Sequence, residues 1–234
     1  VEITSGKWIT KAMLANMNKT ARNGNEKTPV IAYRVDYAKG EFSGFGFAGV
    51  HGKATNFRSD DVNPITGNPY DARDSALNLF EVDAYFIRGD LTLQGQLSYG
   101  MQRNAAITAD PVTGDLRDAR WYGASVLSAY KFTPRLEGIA RLDYLNNKKN
   151  GGGLLGYNFA DDRNGIGPDP AGDPEVGANR MALSLGLGYA FNTSTAFKAE
   201  YRLDRASQPV FIDVKDGSYR RTNHLFGASV VVQF

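Results

Sequence analysis

Apolar and polar residues alternate along most of this sequence, in segments of about ten residues. In the segment 180–191 every second residue is large and apolar, and the residues between are mostly small; the apolar set is Met181, Leu183, Leu185, Leu187, Tyr189 and Phe191. Successive side chains of a strand point to opposite faces, so each such segment predicts a strand with one apolar face. Ten segments follow this pattern; they span residues 7–17, 29–39, 41–54, 77–88, 91–105, 120–133, 135–147, 180–192, 195–206 and 223–234.

The connections between these segments alternate between short and long. The short ones lie at 39–41, 88–90, 133–135 and 192–195; the long ones, rich in Gly, Pro, Asn and Asp, span 18–28, 55–76, 106–119, 148–179 and 207–222. Short turns at one end and long loops at the other are typical of outer-membrane barrels. The sequence therefore predicts an all-β, transmembrane, antiparallel up-and-down β-barrel. We expect one domain over residues 1–234, with 148–179 as a long extracellular loop.

Periodicity alone does not decide which way the apolar faces point. A soluble barrel would turn them inward and give the same alternation. Aromatic pairs near the strand ends, Tyr33 with Tyr37, Tyr130 with Phe132 and Tyr189 with Phe191, favour a membrane barrel with aromatic belts at the lipid interfaces.

Composition narrows the class further. The 234 residues have a mean hydropathy of −0.38 and contain no apolar run long enough for a transmembrane helix. The formal net charge of +2 argues against a nucleic-acid-binding protein. The absence of Cys is compatible with a Gram-negative cell envelope. Because the sequence begins with Val1 and no apolar leader precedes it, we expect a processed or truncated chain.

A charged motif recurs on the face opposite the apolar residues. Arg34-Val-Asp36, Arg141-Leu-Asp143 and Arg202-Leu-Asp204 share it, and Glu81-Val-Asp83 is an acidic variant. A charge facing lipid at the bilayer midplane costs about 2–4 kcal/mol, so these side chains should face the lumen. The predicted pore-lining residues are Arg34, Asp36, Glu81, Asp83, Arg141, Asp143, Lys198, Glu200, Arg202 and Asp204. They either form a salt-bridged interior that holds the barrel open or a constriction whose transverse field selects solutes.

The last segment places Phe226, Ala228, Val230, Val232 and Phe234 on one face, and the sequence stops at the aromatic residue. It resembles the C-terminal strand of Gram-negative outer-membrane β-barrels. That resemblance implies that Phe226, Val230, Val232 and Phe234 form the assembly signal read by the barrel-assembly machinery. Taken alone, the segment also fits the last strand of a soluble β-sandwich.

The whole chain resembles a bacterial outer-membrane porin, and its end, with Phe211-Ile-Asp-Val-Lys-Asp-Gly-Ser-Tyr219, is similar to an uncharacterised porin-like family of betaproteobacteria. The resemblance implies an outer-membrane homotrimer, in contact with lipid and lipopolysaccharide, with an inward-folded loop. It also implies passive diffusion of small hydrophilic solutes or ions. General porins have about sixteen strands. The ten predicted here form either a small barrel or the C-terminal part of a larger one.

Other functions find less support in the residues. Only His51 and His224 provide imidazoles; a His–Asp pair with Asp60 or Asp61 is conceivable across the loops, but no Gly-x-Ser-x-Gly motif exists. We expect no catalysis and no cofactor. A non-conducting structural or adhesive barrel that acts through its long loops remains the alternative function.

Two local sequences suggest other ligands. The loop 148–179 contains oxygen ligands suited to calcium, Asp161, Asp162, Asp169 and Asp173, but their spacing is not that of a calcium loop, which favours a solvated loop. Arg88-Gly89-Asp90 has the form of an adhesion motif, but a short turn is sufficient to explain it.

The terminal aromatic residue offers a direct test. Deleting Phe234 should lower the folded fraction in the outer membrane several-fold, because the proposed assembly signal loses its last member. Heat-modifiable electrophoretic mobility measures that fraction. The matched control is Gln233→Ala, on the opposite face of the same strand. Normal assembly without Phe234 would refute the assembly signal.

Overall fold

The computed structural model describes residues 1–16, 29–56, 58, 60–70, 74–106, 109–147 and 178–233. All regular elements in these ranges are strands: β1 Glu2–Ser5, β2 Trp8–Ala15, β3 Val30–Ala38, β4 Ser43–Thr55, β5 Asp74–Arg88, β6 Leu91–Gln102, β7 Ala119–Thr133, β8 Leu136–Asn146, β9 Arg180–Ala190, β10 Thr195–Ala206, β11 Phe211–Ile212, β12 Tyr219–Arg220 and β13 Thr222–Val232. Within these ranges, no helix has the length and apolar character needed to span a membrane.

Eleven strands form one sheet, in the order β1 to β10 followed by β13, and every neighbouring pair is antiparallel. This arrangement confirms the predicted all-β, up-and-down class. The predicted count of ten strands is one short of this sheet, because β1 was missed, and the two-stranded sheet of β11 and β12 was not predicted either. Strand β1 pairs with β2 through Gly6 and Lys7, and Gly6 has a φ of 59° that suits glycine. Four residues with a single large apolar side chain are too short to show alternation.

The short connections lie together at one end of the sheet. Gly89 and Asp90 alone join β5 to β6, so the Arg88-Gly89-Asp90 sequence forms a hairpin turn as predicted. Between β7 and β8, the Thr133 hydroxyl accepts hydrogen bonds from the backbone N–H groups of Arg135 and Leu136. The turn after β3 is longer than predicted, since β4 begins only at Ser43.

The two faces of the sheet differ sharply in chemistry. One face carries exposed apolar side chains, such as Phe45 at 52%, Val126 at 55% and Val230 at 61% exposure. Buried side chains of the sheet, such as Leu77 and Trp121, lie on the other face, which also carries the charges. Because side chains are buried on this face and exposed on the apolar face, the sheet curves towards it, and we call it the concave face. A soluble barrel would bury the apolar face instead, so the soluble interpretation of the alternation is wrong.

Aromatic residues lie on the apolar face at both ends of the strands. At the turn end the ring centroids of Trp8 and Tyr37 are 4.8 Å apart, and those of Tyr189 and Phe191 5.0 Å apart. At the loop end Phe80, Tyr99 and Tyr122 lie opposite one another on β5, β6 and β7; we call these three the upper aromatic row. Tyr130 lies near the turn end of the same strand as Tyr122, about 27 Å farther along β7. At the usual strand tilt, the two aromatic residues are separated by about 20 Å along the membrane normal. This height is close to that of an outer-membrane apolar band.

Three long loops contain the same small hairpin. Each begins with Asn or Asp, whose backbone carbonyl accepts a hydrogen bond of 2.8 Å from the backbone N–H of a glycine four residues later. The segments are 63–67, 110–114 and 213–217. The glycines, Gly67, Gly114 and Gly217, have φ values of 72°, 72° and 71°. This repeat was missed, although an Asn or Asp followed four residues later by Gly signals it in each loop.

The first two hairpins are docked together. Asn63 Nδ2 donates to the Thr113 carbonyl at 3.1 Å, and the Tyr70 hydroxyl donates to the Gly114 carbonyl. The Arg58 guanidinium also reaches the Ala106 carbonyl at 3.0 Å. Burial raises the pKa of the Tyr70 phenol, as expected for a ring enclosed between two loops.

Matched glycine substitutions test this docking. A Cβ at Gly114 would lie 2.1 Å from Asn63 Oδ1, whereas a Cβ at Gly217 would meet nothing within 4 Å. Both Gly114→Ala and Gly217→Ala carry the cost of about 1–2 kcal/mol for a left-handed alanine. Only Gly114→Ala should raise amide hydrogen exchange across residues 61–70. Equal exchange there in both variants would mean that the hairpins do not depend on each other.

Candidate functional site

Arg34 is the centre of a charge cluster on the concave face. Its guanidinium lies 2.8 Å from an Asp36 oxygen, 2.8 Å from an Asp83 oxygen and 3.6 Å from a Glu81 oxygen. We call these four residues the acidic cluster, because one cation meets three carboxylates.

The intervening strand β4 makes this cluster possible. It places Gly46 opposite both Asp36 and Asp83, and Ala48 opposite both Arg34 and Glu81. A Cβ at Gly46 would lie 2.5 Å from an Arg34 nitrogen. The guanidinium therefore passes over β4 in the space that glycine leaves free.

A second group, the basic cluster, lies across β8, β9 and β10. Arg141 and Asp143 are 2.8 Å apart, and Arg202 and Asp204 are 2.9 Å apart. Arg180 reaches Asp204 at 3.6 Å, and Asp204 is only 6% exposed. The cluster has three guanidiniums and two carboxylates. As on β4, the middle strand β9 has small residues here: Ala182 lies between the two aspartates and Ser184 between Arg141 and Arg202.

Uncharged polar side chains separate the two clusters. Gln96 of β6 donates to Glu81 at 2.9 Å, and Ser125 of β7 lies between Gln96 and Asp143 in the register. One cleft is lined by Arg34, Glu81 and Asp83 on one side and by Arg141 on the other. An excess of negative charge therefore faces an excess of positive charge across a polar floor.

All ten predicted pore-lining residues lie on this concave face. Arg34, Asp36, Glu81 and Asp83 meet in the acidic cluster, and Arg141, Asp143, Arg202 and Asp204 belong to the basic cluster. Lys198 and Glu200 line a further cleft beside Arg141 and Arg202. Their role in lining a pore stays a prediction.

Sequence reasoning missed several charged residues of this face, among them Arg180, Lys11 and Glu137, which lines the cleft beside Lys198 and Glu200. Arg180 has the parity of the concave face at the start of β9, and this parity could have identified it. Lys11 lies next to Arg34 in the register and pairs with Glu2 at 3.4 Å. Lys11 lies in the predicted segment 7–17, and its parity there could have identified it.

The histidines do not form the conceivable pair with Asp60 or Asp61. His51 is hydrogen-bonded to Asn78 at 2.8 Å and to the Tyr33 hydroxyl at 3.3 Å, and Asp61 instead binds Arg58 at 2.5 Å. His224 is hydrogen-bonded to the Tyr201 hydroxyl at 2.7 Å. Both histidines lie towards the loop end on the apolar face, away from the charge clusters.

The predicted assembly signal lies partly within the described chain. Phe226, Val230 and Val232 are exposed on the apolar face of β13, opposite Tyr201, Phe197 and Thr195 of β10. Phe234 and the calcium candidates Asp161, Asp162, Asp169 and Asp173 lie outside the described residues. Among the residues that the structure does describe, no three His, Asp or Glu side chains are grouped to hold a metal ion.

The fold is similar to that of solved outer-membrane proteins. The outer-membrane expressed OmpT of Vibrio cholerae has a TM-score of 0.57 at 14% identity, over 99% of this chain and 63% of that chain. A trimer form of in-vitro folded OmpT has a TM-score of 0.56 at 13% identity, over 99% of this chain and 62% of that one. OmpF of Salmonella typhi, in complex with daunomycin, has a TM-score of 0.53 at 14% identity, over 96% of this chain and 56% of that one.

These likenesses establish the fold of bacterial outer-membrane β-barrel proteins. The chain spans about three fifths of the length of these solved structures. No curated protein sequence is significantly similar to it. The predicted attribution to betaproteobacteria stays a prediction. The profile of one family matches residues 3–234, and the chain therefore belongs to the family described as "Protein of unknown function (DUF3138)".

Proposed function

We propose that the protein is a porin of the Gram-negative outer membrane, through which small hydrophilic solutes or ions diffuse passively. The observation that carries this proposal is the pair of clusters of opposite net charge that face each other across the polar floor of the concave face. No catalytic role and no nucleic-acid partner are part of the proposal.

The clusters suit a hydrated passage better than a stabilising core. Arg34 and Arg141 are 36% and 50% exposed at their side chains, and ion pairs that water reaches add little stability. Their close contacts instead fix the positions of the charges. A fixed transverse field orients a passing dipolar solute and raises the local concentration of counter-ions. Because the two clusters together carry one more carboxylate than guanidinium, we expect a weak preference for cations.

Closure and assembly belong to the same proposal. The edge strands β1 and β13 run in the same direction, so they do not fit each other as antiparallel neighbours. We propose that this single β-barrel domain closes as the C-terminal part of a larger barrel. A homotrimer is proposed from the trimer form of OmpT. The barrel-assembly machinery, reading β13, is the proposed partner in folding.

Single-channel current in a planar bilayer under a salt gradient tests conduction and selectivity. The folded protein should give discrete steps and a reversal potential on the cation side. Arg34→Gln should raise the cation-to-anion permeability ratio roughly fivefold, since it lowers the free energy of a cation relative to an anion at this cluster by about 1 kcal/mol. The double substitution Glu81→Gln with Asp83→Asn should lower the ratio. Arg135→Gln, in a short turn, is the matched control and should change nothing.

Two results would contradict the proposal in different ways. A silent bilayer from demonstrably folded protein would favour a non-conducting structural or adhesive barrel. Conduction whose selectivity ignores all of these substitutions would mean that the charged face does not line the conducting path.

A further inference from the structure

Two arginines lie on the apolar face, just beyond the upper aromatic row. Arg120 of β7 is opposite Met101 of β6. Arg103 follows β6, and its backbone N–H donates to the Ala76 carbonyl at 2.9 Å, which continues the register of that strand. Arg103 therefore has the same parity as Tyr99 and Met101. Diagonal neighbours on adjacent antiparallel strands lie about 7–8 Å apart, so the two guanidiniums can act on one ligand.

The surroundings of these arginines differ from those of the concave face. Arg34, Arg141, Arg180 and Arg202 all lie in ion pairs. Arg103 and Arg120 are exposed, and no ion pair within the described ranges includes either of them. An arginine pair left exposed on an apolar face calls for an anionic partner outside the chain.

The other charges at this level leave the patch cationic. The Asp118 carboxylate accepts the backbone N–H of Asn104 at 3.1 Å. Asp74 lies one row farther towards the loops, opposite Thr55. Lys53 is opposite Ala76 in the register, at the level of Arg103. His51 is opposite Asn78, at the level of Met101 and Arg120.

The depth of the patch fits a lipid headgroup. Arg120 and Arg103 lie two and four residues beyond Tyr122 and Tyr99 on their strands, or about 7 and 13 Å of strand towards the loop end. Aromatic belts mark the boundary between acyl chains and headgroups, so the guanidiniums lie at the level of the headgroups. The long loops identify this end as the outer leaflet.

We propose that Arg103 and Arg120 bind the phosphate groups of a phosphorylated glycolipid of the outer leaflet, namely the lipid A part of lipopolysaccharide. Each guanidinium can donate two parallel hydrogen bonds to a phosphate. The acyl chains then lie along the apolar face below, and Tyr99 and Tyr122 contact the sugars. This inference rests on the outer-membrane placement proposed above, but it does not depend on conduction.

Binding of lipid A to the folded protein in detergent micelles, measured by native mass spectrometry, tests the site. The double substitution Arg103→Gln with Arg120→Gln should weaken binding of bis-phosphorylated lipid A at least about tenfold, and added NaCl should weaken binding to the unsubstituted protein. The matched control, Arg88→Gln with Arg135→Gln, removes the same charge at the turn end and should leave binding unchanged. Dephosphorylated lipid A should bind all three proteins equally weakly.

Heat-modifiable mobility verifies that the double variant is folded. If it is not, Arg103→Lys with Arg120→Lys keeps both charges but loses the paired hydrogen bonds, and a loss of about threefold is expected. The site would be overturned if the variants of Arg103 and Arg120 bound lipid A with unchanged affinity. It would also be overturned if the unsubstituted protein bound dephosphorylated lipid A as tightly as bis-phosphorylated lipid A. Planar-bilayer current from the same samples separates the two proposals, because neither arginine faces the cleft.

Discussion

Backbone hydrogen bonding is the constraint on which this fold depends. In hydrocarbon no water is present to pair with N–H and C=O groups, so a membrane-crossing strand must be paired by its neighbours. The antiparallel ladder from β1 to β13 meets this requirement for every strand between its edges. Once the ladder is fixed, side chains alternate strictly between lipid and interior. The same alternation that suits one face to lipid therefore leaves the other face free to carry charge.

The interior charges are positioned by small residues as much as by arginines. Strands lie about 4.8 Å apart, so a contact from β3 to β5 must cross the full width of β4. Arg34 and Asp83 make this contact at 2.8 Å because Gly46 has no side chain in the way. On β9 the small residues Ala182 and Ser184 lie between the Arg–Asp pairs of β8 and β10, each of which forms within its own strand. Both clusters thus have a strand of small residues between two charged strands.

Most strands could be predicted from the sequence, whereas the contacts between residues distant in the chain could not. Strand β10 was predicted with its bounds because Phe197, Ala199, Tyr201 and Leu203 alternate with four charged residues. Strand β1 escaped because it has too few residues to show a period. The pairing of Arg34 with Asp83 could not be predicted either. It depends on the register of three strands, and a long loop separates two of them without fixing their offset. The docked hairpins of residues 61–70 and 109–116 were missed for a different reason, since polar composition conceals a repeated turn geometry.

The direction of the edge strands limits how such a sheet can close. In an antiparallel sheet direction alternates from strand to strand, so the first and eleventh strands, β1 and β13, are parallel. Antiparallel closure therefore requires an odd number of further strands, whereas direct closure would require one parallel pair. The exposed apolar side chains of β13 continue the lipid-facing band up to that edge, and its ladder groups would face lipid if no strand covered them. The hydrogen-bonding constraint that organises the sheet therefore applies to its two edge strands as well.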